Sequence, residues 1–188
     1  MKASNVTAGK PKVGGAIFTA PVGTPLPADT DSALDAAFKE LGYCSEDGVT
    51  NSTDLTVEEI KAWGGQTVLV IQSSKDDKFK YVLIETLNKD AMGYFYGEDN
   101  VSGDIETGIT VKVNNKDVPE RSIVIDMIMR DDTSKRIVIP SCKISEVGDI
   151  VYNDSDPVGY DTTVSCTPDA AGNTHYEYLK KAGSTPSA

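Results

Sequence analysis

Two strand patterns and a helix pattern follow one another within residues 66–96, and this stretch constrains the fold most. Residues 68–71 are aliphatic, and aromatic residues alternate with lysines over residues 78–81. Both patterns are typical of β-strands. Because residues 73–77 form a short polar connection between them, the sequence predicts a β-hairpin that turns at that connection.

Two segments carry apolar residues at helical spacing. The first covers residues 87–95, where Asn88 is available as an N-cap and Gly97 as a stop. The second covers residues 34–41, with apolar side chains at i, i+3, i+4 and i+7 and Gly42 immediately after them. Both segments are predicted to form short helices, which are stable only when they pack against other elements.

Alternating patterns predict further strands along the remaining chain. The polar residues 131–134 are predicted to turn between two of these strands, and Pro140 to end the second. The strands are predicted at residues 16–22, 109–113, 123–129, 136–139, 142–152 and 160–166. Because strands predominate and do not alternate with helices, the sequence predicts a mainly β fold. This would be an antiparallel β-sandwich or barrel with one or two short flanking helices.

A length of 188 residues is typical of a single domain. Residues 16–168 are expected to form this β domain, between a flexible N-terminal arm at residues 1–15 and a C-terminal arm and tail at residues 169–188. Residues 50–63 mix apolar with polar and acidic side chains, so the pattern leaves open a long loop or a protruding strand. Segments of this kind are usually functional or mobile.

Composition narrows the possible partners and the compartment. A formal net charge of −11 disfavours uniform binding to nucleic acid or to an anionic membrane. The 3 cysteines show no metal-binding spacing and are expected to be reduced thiols, as in a cytoplasmic protein. We expect no secretion signal and no membrane helix, because no apolar window is long enough.

The sequence offers little for catalysis. The single histidine, His175, lies in the predicted C-terminal arm, away from any rigid element that could hold a nucleophile beside it. Asp154 and Asp156 resemble the start of a calcium loop, but Pro157 interrupts the spacing, so a plain turn is predicted. We therefore expect no enzyme activity, no catalytic residue, no cofactor and no metal.

The order of several short segments resembles the major tail proteins of long, non-contractile-tailed bacteriophages, the siphophage type. The likeness spans nearly the whole chain and follows the order of the family's segments. The segments lie at residues 41–43, 47–52, 59–65, 79–87, 96–101, 124–127, 136–140, 146–149, 156–160 and 173–176.

The resemblance implies a structural subunit of the phage tail tube, located in the virion and assembled in the cytoplasm of the bacterial host. It implies a β-sandwich or barrel that self-assembles into hexameric rings, stacked into a hollow tube through which DNA is ejected. The implied partners are other copies of this chain, the tape measure protein and the tail-end proteins. Double-stranded DNA would pass through without tight binding, since an acidic wall repels phosphates.

Residues 50–63 and the two arms are hypothesised to reach the next ring, and sheet edges to join neighbours within a ring. Candidate contacts between subunits or rings are Val49, Asn51, Leu55, Val57, Glu59, Lys61, Trp63, His175 and Tyr176. Candidate residues on strands of the inner sheet are Val68, Val70, Lys78, Lys80, Asp126 and Arg130.

Two other interpretations stay open at the level of sequence. A tube protein of a contractile injection system would share the architecture. A monomeric carbohydrate-binding or adhesin sandwich would use Trp63 and the tyrosines as sugar platforms, although a sole tryptophan is more often a core or interface anchor.

Overall fold

A large antiparallel sheet dominates the computed structural model, which describes residues 1–12 and 16–181. Strands account for 50% of the described residues, and the prediction of a mainly β fold is confirmed. The strands are β1 (Lys10–Pro11), β2 (Ile17–Pro21), β3 (Lys39–Glu40), β4 (Cys44–Lys61), β5 (Thr67–Leu83), β6 (Val101–Asp104), β7 (Gly108–Val111), β8 (Arg121–Ile128), β9 (Thr133–Val147), β10 (Tyr160–Cys166) and β11 (Tyr176–Lys181). The α-helix α1 covers Lys89–Tyr96. Parts of both predicted arms, residues 13–15 and 182–188, lie outside the described residues.

Nine strands form the main sheet, in the order β3-β2-β8-β9-β10-β5-β4, with β1 beside β8 and β11 beside β9. Strands β6 and β7 form a separate hairpin. Strand β9 pairs with β11 along residues 133–138 and with β10 along residues 142–147. Strands β11 and β10 therefore pair with consecutive parts of the same edge of β9. Strands β3 and β4 lie at the two ends of the strand order.

One face of the sheet carries the main core. Phe79, Tyr81 and Ile123 are at most 1% exposed, and they belong to a cluster that includes residues of α1 and β6. The hydroxyls of Tyr81 and Tyr94 are 2.6 Å apart, which joins the sheet to α1 by a buried hydrogen bond. Burying each large side chain contributes about 1.5–3 kcal/mol, so the packing of this face stabilises the fold.

On the other face of the sheet, the segment of residues 22–38 contacts β9 at Asp29 and Ser32. Arg136 donates to both carboxylate oxygens of Asp126, at 2.6 and 2.7 Å, and to the carbonyls of Asp29 and Ser32, at 3.0 and 2.7 Å. Both charged side chains of the ion pair are less than 10% exposed. The pair therefore fixes that segment to β8 and β9.

The helix predicted at residues 34–41 is wrong. Asp29 and Asp35 accept hydrogen bonds from backbone amides just after them, which stabilises turns instead. Leu41 is fully buried, and its amide donates to the carbonyl of Ile17 at 2.9 Å. Pairing with β2 therefore outweighs the local helical pattern. The other predicted helix is confirmed as α1, with Asn88 accepting from two amides of the first turn and Gly97 as C-cap.

The hairpin turn predicted at residues 73–77 is also wrong. These residues belong to the continuous strand β5, which pairs with β4 along most of its length. The turn lies at residues 62–66, where Gly64 and Gly65 adopt φ of 105° and 89° and Ala62 donates to the carbonyl of Gln66. Residues 50–61 therefore lie in strand β4. Of the two alternatives that the sequence left open, the structure has the protruding strand and not the long loop.

The second predicted hairpin is confirmed as β8–β9, but Pro140 does not end its second strand. Strand β9 continues to Val147. A register shift between Arg121 and Ile123 leaves Pro140 at an irregularity of the ladder, where the Ser122 hydroxyl donates to its carbonyl at 2.7 Å. A bulge of this kind accommodates a residue that lacks an N–H donor.

Candidate assembly surface

The distal parts of β4 and β5 project from the sheet as a two-stranded ribbon, defined as residues 53–76. Strand β10 pairs with β5 only along residues 78–83. Within the chain that the structure describes, residues 67–77 of β5 pair with β4 alone. At about 3.3 Å per residue the ribbon extends about 30 Å beyond the body of the sheet.

The ribbon exposes a concentration of large apolar side chains. Its tip residue Trp63 is fully exposed, at 107%. The other large apolar side chains of the ribbon are 44–59% exposed. They are Leu55, Val57, Ile60, Val68, Leu69, Val70 and Ile71. Contiguous exposed apolar surface of this kind marks a contact site with another macromolecule.

Apolar groups occupy both faces of the ribbon. Ile60 is opposite Leu69, and on the other face Glu59 is opposite Val70. Partners in a cross-strand pair point to the same side, and successive residues of a strand point to opposite sides. An isolated two-stranded ribbon is only marginally stable in water. Both faces of the ribbon are therefore suited to burial against partners.

A buried carboxylate anchors the root of the ribbon. Asp77 is 3% exposed and accepts hydrogen bonds from Asn51 at 2.7 Å and from Thr174 at 2.8 Å, while His175 Nδ1 lies 2.5 Å from it. Burial by itself raises the pKa of Asp77, but these three partners together hold that pKa below its ordinary value of 3.8. The segment that leads into β11 is thereby tied to both strands of the ribbon.

The predicted contact residues divide between the ribbon and its root. Leu55, Val57, Glu59, Lys61 and Trp63 lie on the ribbon. The Lys61 ammonium is 3.6 Å from the Glu59 carboxylate.

Four other predicted contact residues make contacts within the chain. Val49 packs against the core. Asn51 and His175 contact Asp77, and the His175 ring meets Phe79 edge to face at 5.2 Å. The Tyr176 hydroxyl donates to Asp169. Pattern reasoning missed Asp77, because its sequence neighbours are equally polar and only the fold shows its burial.

The residues predicted on inner strands lie in different environments. Val68 and Val70 are on the ribbon, and Lys78 and Lys80 lie near its root, where Lys80 pairs with Asp161 at 3.0 Å. Asp126 lies on β8 and is buried in the ion pair with Arg136. Arg130 is not on a strand but in the 3-10 turn of residues Arg130–Asp132.

Within residues 1–12 and 16–181, no group of three or more His, Cys, Asp or Glu side chains is arranged to hold a metal ion. Burial raises the pKa of the Cys44 thiol to about 11 and that of Cys166 to about 12, which keeps both thiols protonated. In the same residues, no helix is both long and apolar enough to cross a membrane.

An exposed apolar ribbon next to a long open sheet edge is typical of a protein that joins other subunits. Residues 4–188 match a family model described as phage tail tube protein. The chain therefore belongs to the phage tail tube protein family, whose members are structural components of the virion tail and not enzymes. A comparison with curated proteins finds no match. Family membership removes the carbohydrate-binding interpretation.

Proposed function

We propose that this tail tube protein forms hexameric rings that stack into the DNA conduit of a long, non-contractile phage tail. The family supports self-assembly together with other tail proteins. The siphophage type rests on the resemblance of the ordered sequence segments. In this proposal the tape measure protein fills the lumen before ejection, and the tail-end proteins close the tube.

The exposed apolar ribbon is the observation that carries this proposal. Moving each of its large side chains out of water contributes about 1.5–3 kcal/mol before the entropy of association is subtracted. The single chain offers these residues no burial, since they remain 44–107% exposed. The ribbon therefore contributes the main contact between rings.

Contacts within a ring would use the edges of the main sheet. Strand β4 ends the sheet and has β5 as its only neighbour in the described chain. The unpaired N–H and C=O groups along such an edge form hydrogen bonds with a strand of an adjacent subunit. A ring closed in this way leaves no long edge open. With a net charge of −11 on each copy, the tube repels DNA phosphates and the genome passes without binding tightly.

A shortened ribbon tests the proposal. Asp54 and Asp76 are cross-strand partners, so residues 55–75 can be replaced by Asn-Gly as a two-residue turn. We expect a folded protein that forms no tubes in negative-stain electron microscopy, whereas the full chain forms tubes under the same conditions. Circular dichroism and thermal unfolding control for the fold. Tubes of normal length from the shortened protein would overturn the proposal.

A further inference from the structure

The end of the sheet opposite the ribbon has an exposed apolar surface of its own. We name it the aromatic platform and define it as Tyr43, Leu87, Val151 and Tyr152, which are 67%, 70%, 58% and 76% exposed. The amide of Ile84, just after the end of β5, donates to the Tyr43 carbonyl at 2.9 Å. Because the ribbon lies at the beginning of β5, the two surfaces lie at opposite ends of the same strand.

A packed aromatic cluster supports the platform. The Tyr160 ring stacks on Phe95 at 4.6 Å, and its hydroxyl donates to the carbonyl of Thr86, next to Leu87. Burial raises the pKa of Tyr160 to about 12, with further contributions from the nearby Tyr96 and Tyr152. Tyr152 is therefore close enough to this cluster to interact with it electrostatically. The platform rests on side chains that are already packed, so binding to it orders few additional groups.

Rings that stack head to tail need two different, complementary surfaces on opposite ends of each subunit. The ribbon and the aromatic platform lie at opposite ends of the subunit, as head-to-tail stacking requires. Both surfaces are apolar and include an exposed aromatic residue. We propose that the aromatic platform receives the ribbon of a second copy in the adjacent ring. This inference rests on the proposed function, because it names the partner surface of the same ribbon.

Position also excludes the groove beside the N-terminal segment as the receiving surface. That groove is lined by Val6, Lys10, Met129 and Arg130. The antiparallel pairing of β5 with β10 and of β10 with β9 directs the β8–β9 turn toward the end of the sheet that carries the ribbon. In a head-to-tail stack the groove and the ribbon of one subunit therefore face the same way.

Photo-crosslinking tests the proposal without assuming where the ribbon binds. We would replace Trp63 with p-benzoyl-phenylalanine, assemble tubes, irradiate them and map the linked peptides by mass spectrometry. The expected products join residue 63 to residues 43, 85–87 or 151–152 of another copy. The same probe in place of Leu69 serves if the first variant does not assemble. Links confined to other surfaces, or no links between copies in assembled tubes, would overturn the inference.

A mixing experiment separates this inference from the proposed function. The platform variant carries Leu87→Ser and Tyr152→Ser, and the ribbon variant is the shortened protein with Asn-Gly in place of residues 55–75. We expect neither to form tubes alone, while an equal mixture forms pairs of rings that do not grow, because only one junction is complete. The control Ile105→Ser, between β6 and β7 and 62% exposed, should form normal tubes.

The outcomes of the two variants are distinguishable. If the platform variant forms normal tubes while the ribbon variant does not, the aromatic platform is not the receiving surface, and the proposed function stands. If both variants form normal tubes, both proposals fail. Thermal unfolding of the platform variant should match that of the full chain, because both substituted side chains are exposed.

Discussion

Strand β5 passes through two regions of opposite character, the body of the sheet and the ribbon. In the body, Phe79, Tyr81 and Leu83 point into the core and are at most 1% exposed. In the ribbon, Val70 and Ile71 are 55% and 44% exposed although they pair with β4 in the same antiparallel ladder. The comparison shows that pairing with a neighbouring strand does not by itself bury the side chains of a strand. The body buries its apolar side chains within one chain, whereas the ribbon would bury its own only in the proposed assembly.

The largest expected effect is that of a charge in the body. Leu83→Asp places a carboxylate at a fully buried position without a partner. We expect a loss of more than about 4 kcal/mol in the free energy of unfolding, which would leave the chain largely unfolded. Urea unfolding followed by circular dichroism measures this loss. A native transition with an unchanged midpoint would contradict the assignment of this residue to the core.

The second effect concerns the ion pair that holds residues 22–38 on the sheet. Arg136→Met leaves the buried Asp126 carboxylate without its partner, which should destabilise the protein by about 3–5 kcal/mol. Lys143→Met is the matched control, because its partner Asp117 is 91% exposed and the pair should contribute at most about 1 kcal/mol. Urea unfolding measures the loss of unfolding free energy for each variant. Equal losses would show that the buried ion pair contributes no more to stability than the exposed one.

An intermediate effect is expected at the junction of the two regions. Asp77→Asn keeps the shape of the side chain but removes the charge that accepts from Thr174 and contacts His175, and should cost about 1–3 kcal/mol at neutral pH. Hydrogen exchange should increase at residues 174–177 and at the root of the ribbon. Unchanged exchange there would argue against a junction at this carboxylate.

The pH dependence of that effect has a defined sign. The pKa of Asp77 is lower in the folded chain than its ordinary value of 3.8, so its charge stabilises the folded state above that value. The stabilisation is lost as pH falls from about 4 through the folded pKa. The difference in unfolding free energy between the full chain and Asp77→Asn, measured by urea unfolding, should therefore decrease as pH falls below about 4.

The smallest effect on stability is expected on the ribbon. Val70→Asp changes a side chain that is 55% exposed, so the free energy of unfolding should change by at most about 0.5 kcal/mol. Assembly should nevertheless fail, because a charge would be buried between subunits. Sedimentation velocity and electron microscopy measure this. Normal tubes from Val70→Asp would show that the apolar side chain of Val70 on the ribbon is not buried between subunits.

Local patterns predicted the elements whose environment agrees with their sequence. Helix α1 has a cap, a stop and a buried face, and the β8–β9 hairpin alternates around a polar turn. The errors arose where local and tertiary preferences differ. Residues 34–41 have helical spacing, but Leu41 pairs with β2. Residues 73–77 are polar like a turn, but strand β5 continues through them, with residues 73–76 in the ribbon and Asp77 buried at its root.

The amino-acid sequence by itself determined the mainly β class, the short helix and the ordered segments of the tail tube family. These depend on side-chain periodicity, capping residues and segment order, all of which are properties of the linear chain. Only the tertiary structure decided that residues 53–76 project as one ribbon, that Asp77 is its buried root and that the aromatic platform lies at the opposite end of the sheet. These features depend on which strands pair with each other in the sheet. The local periodicity of the sequence does not specify that pairing.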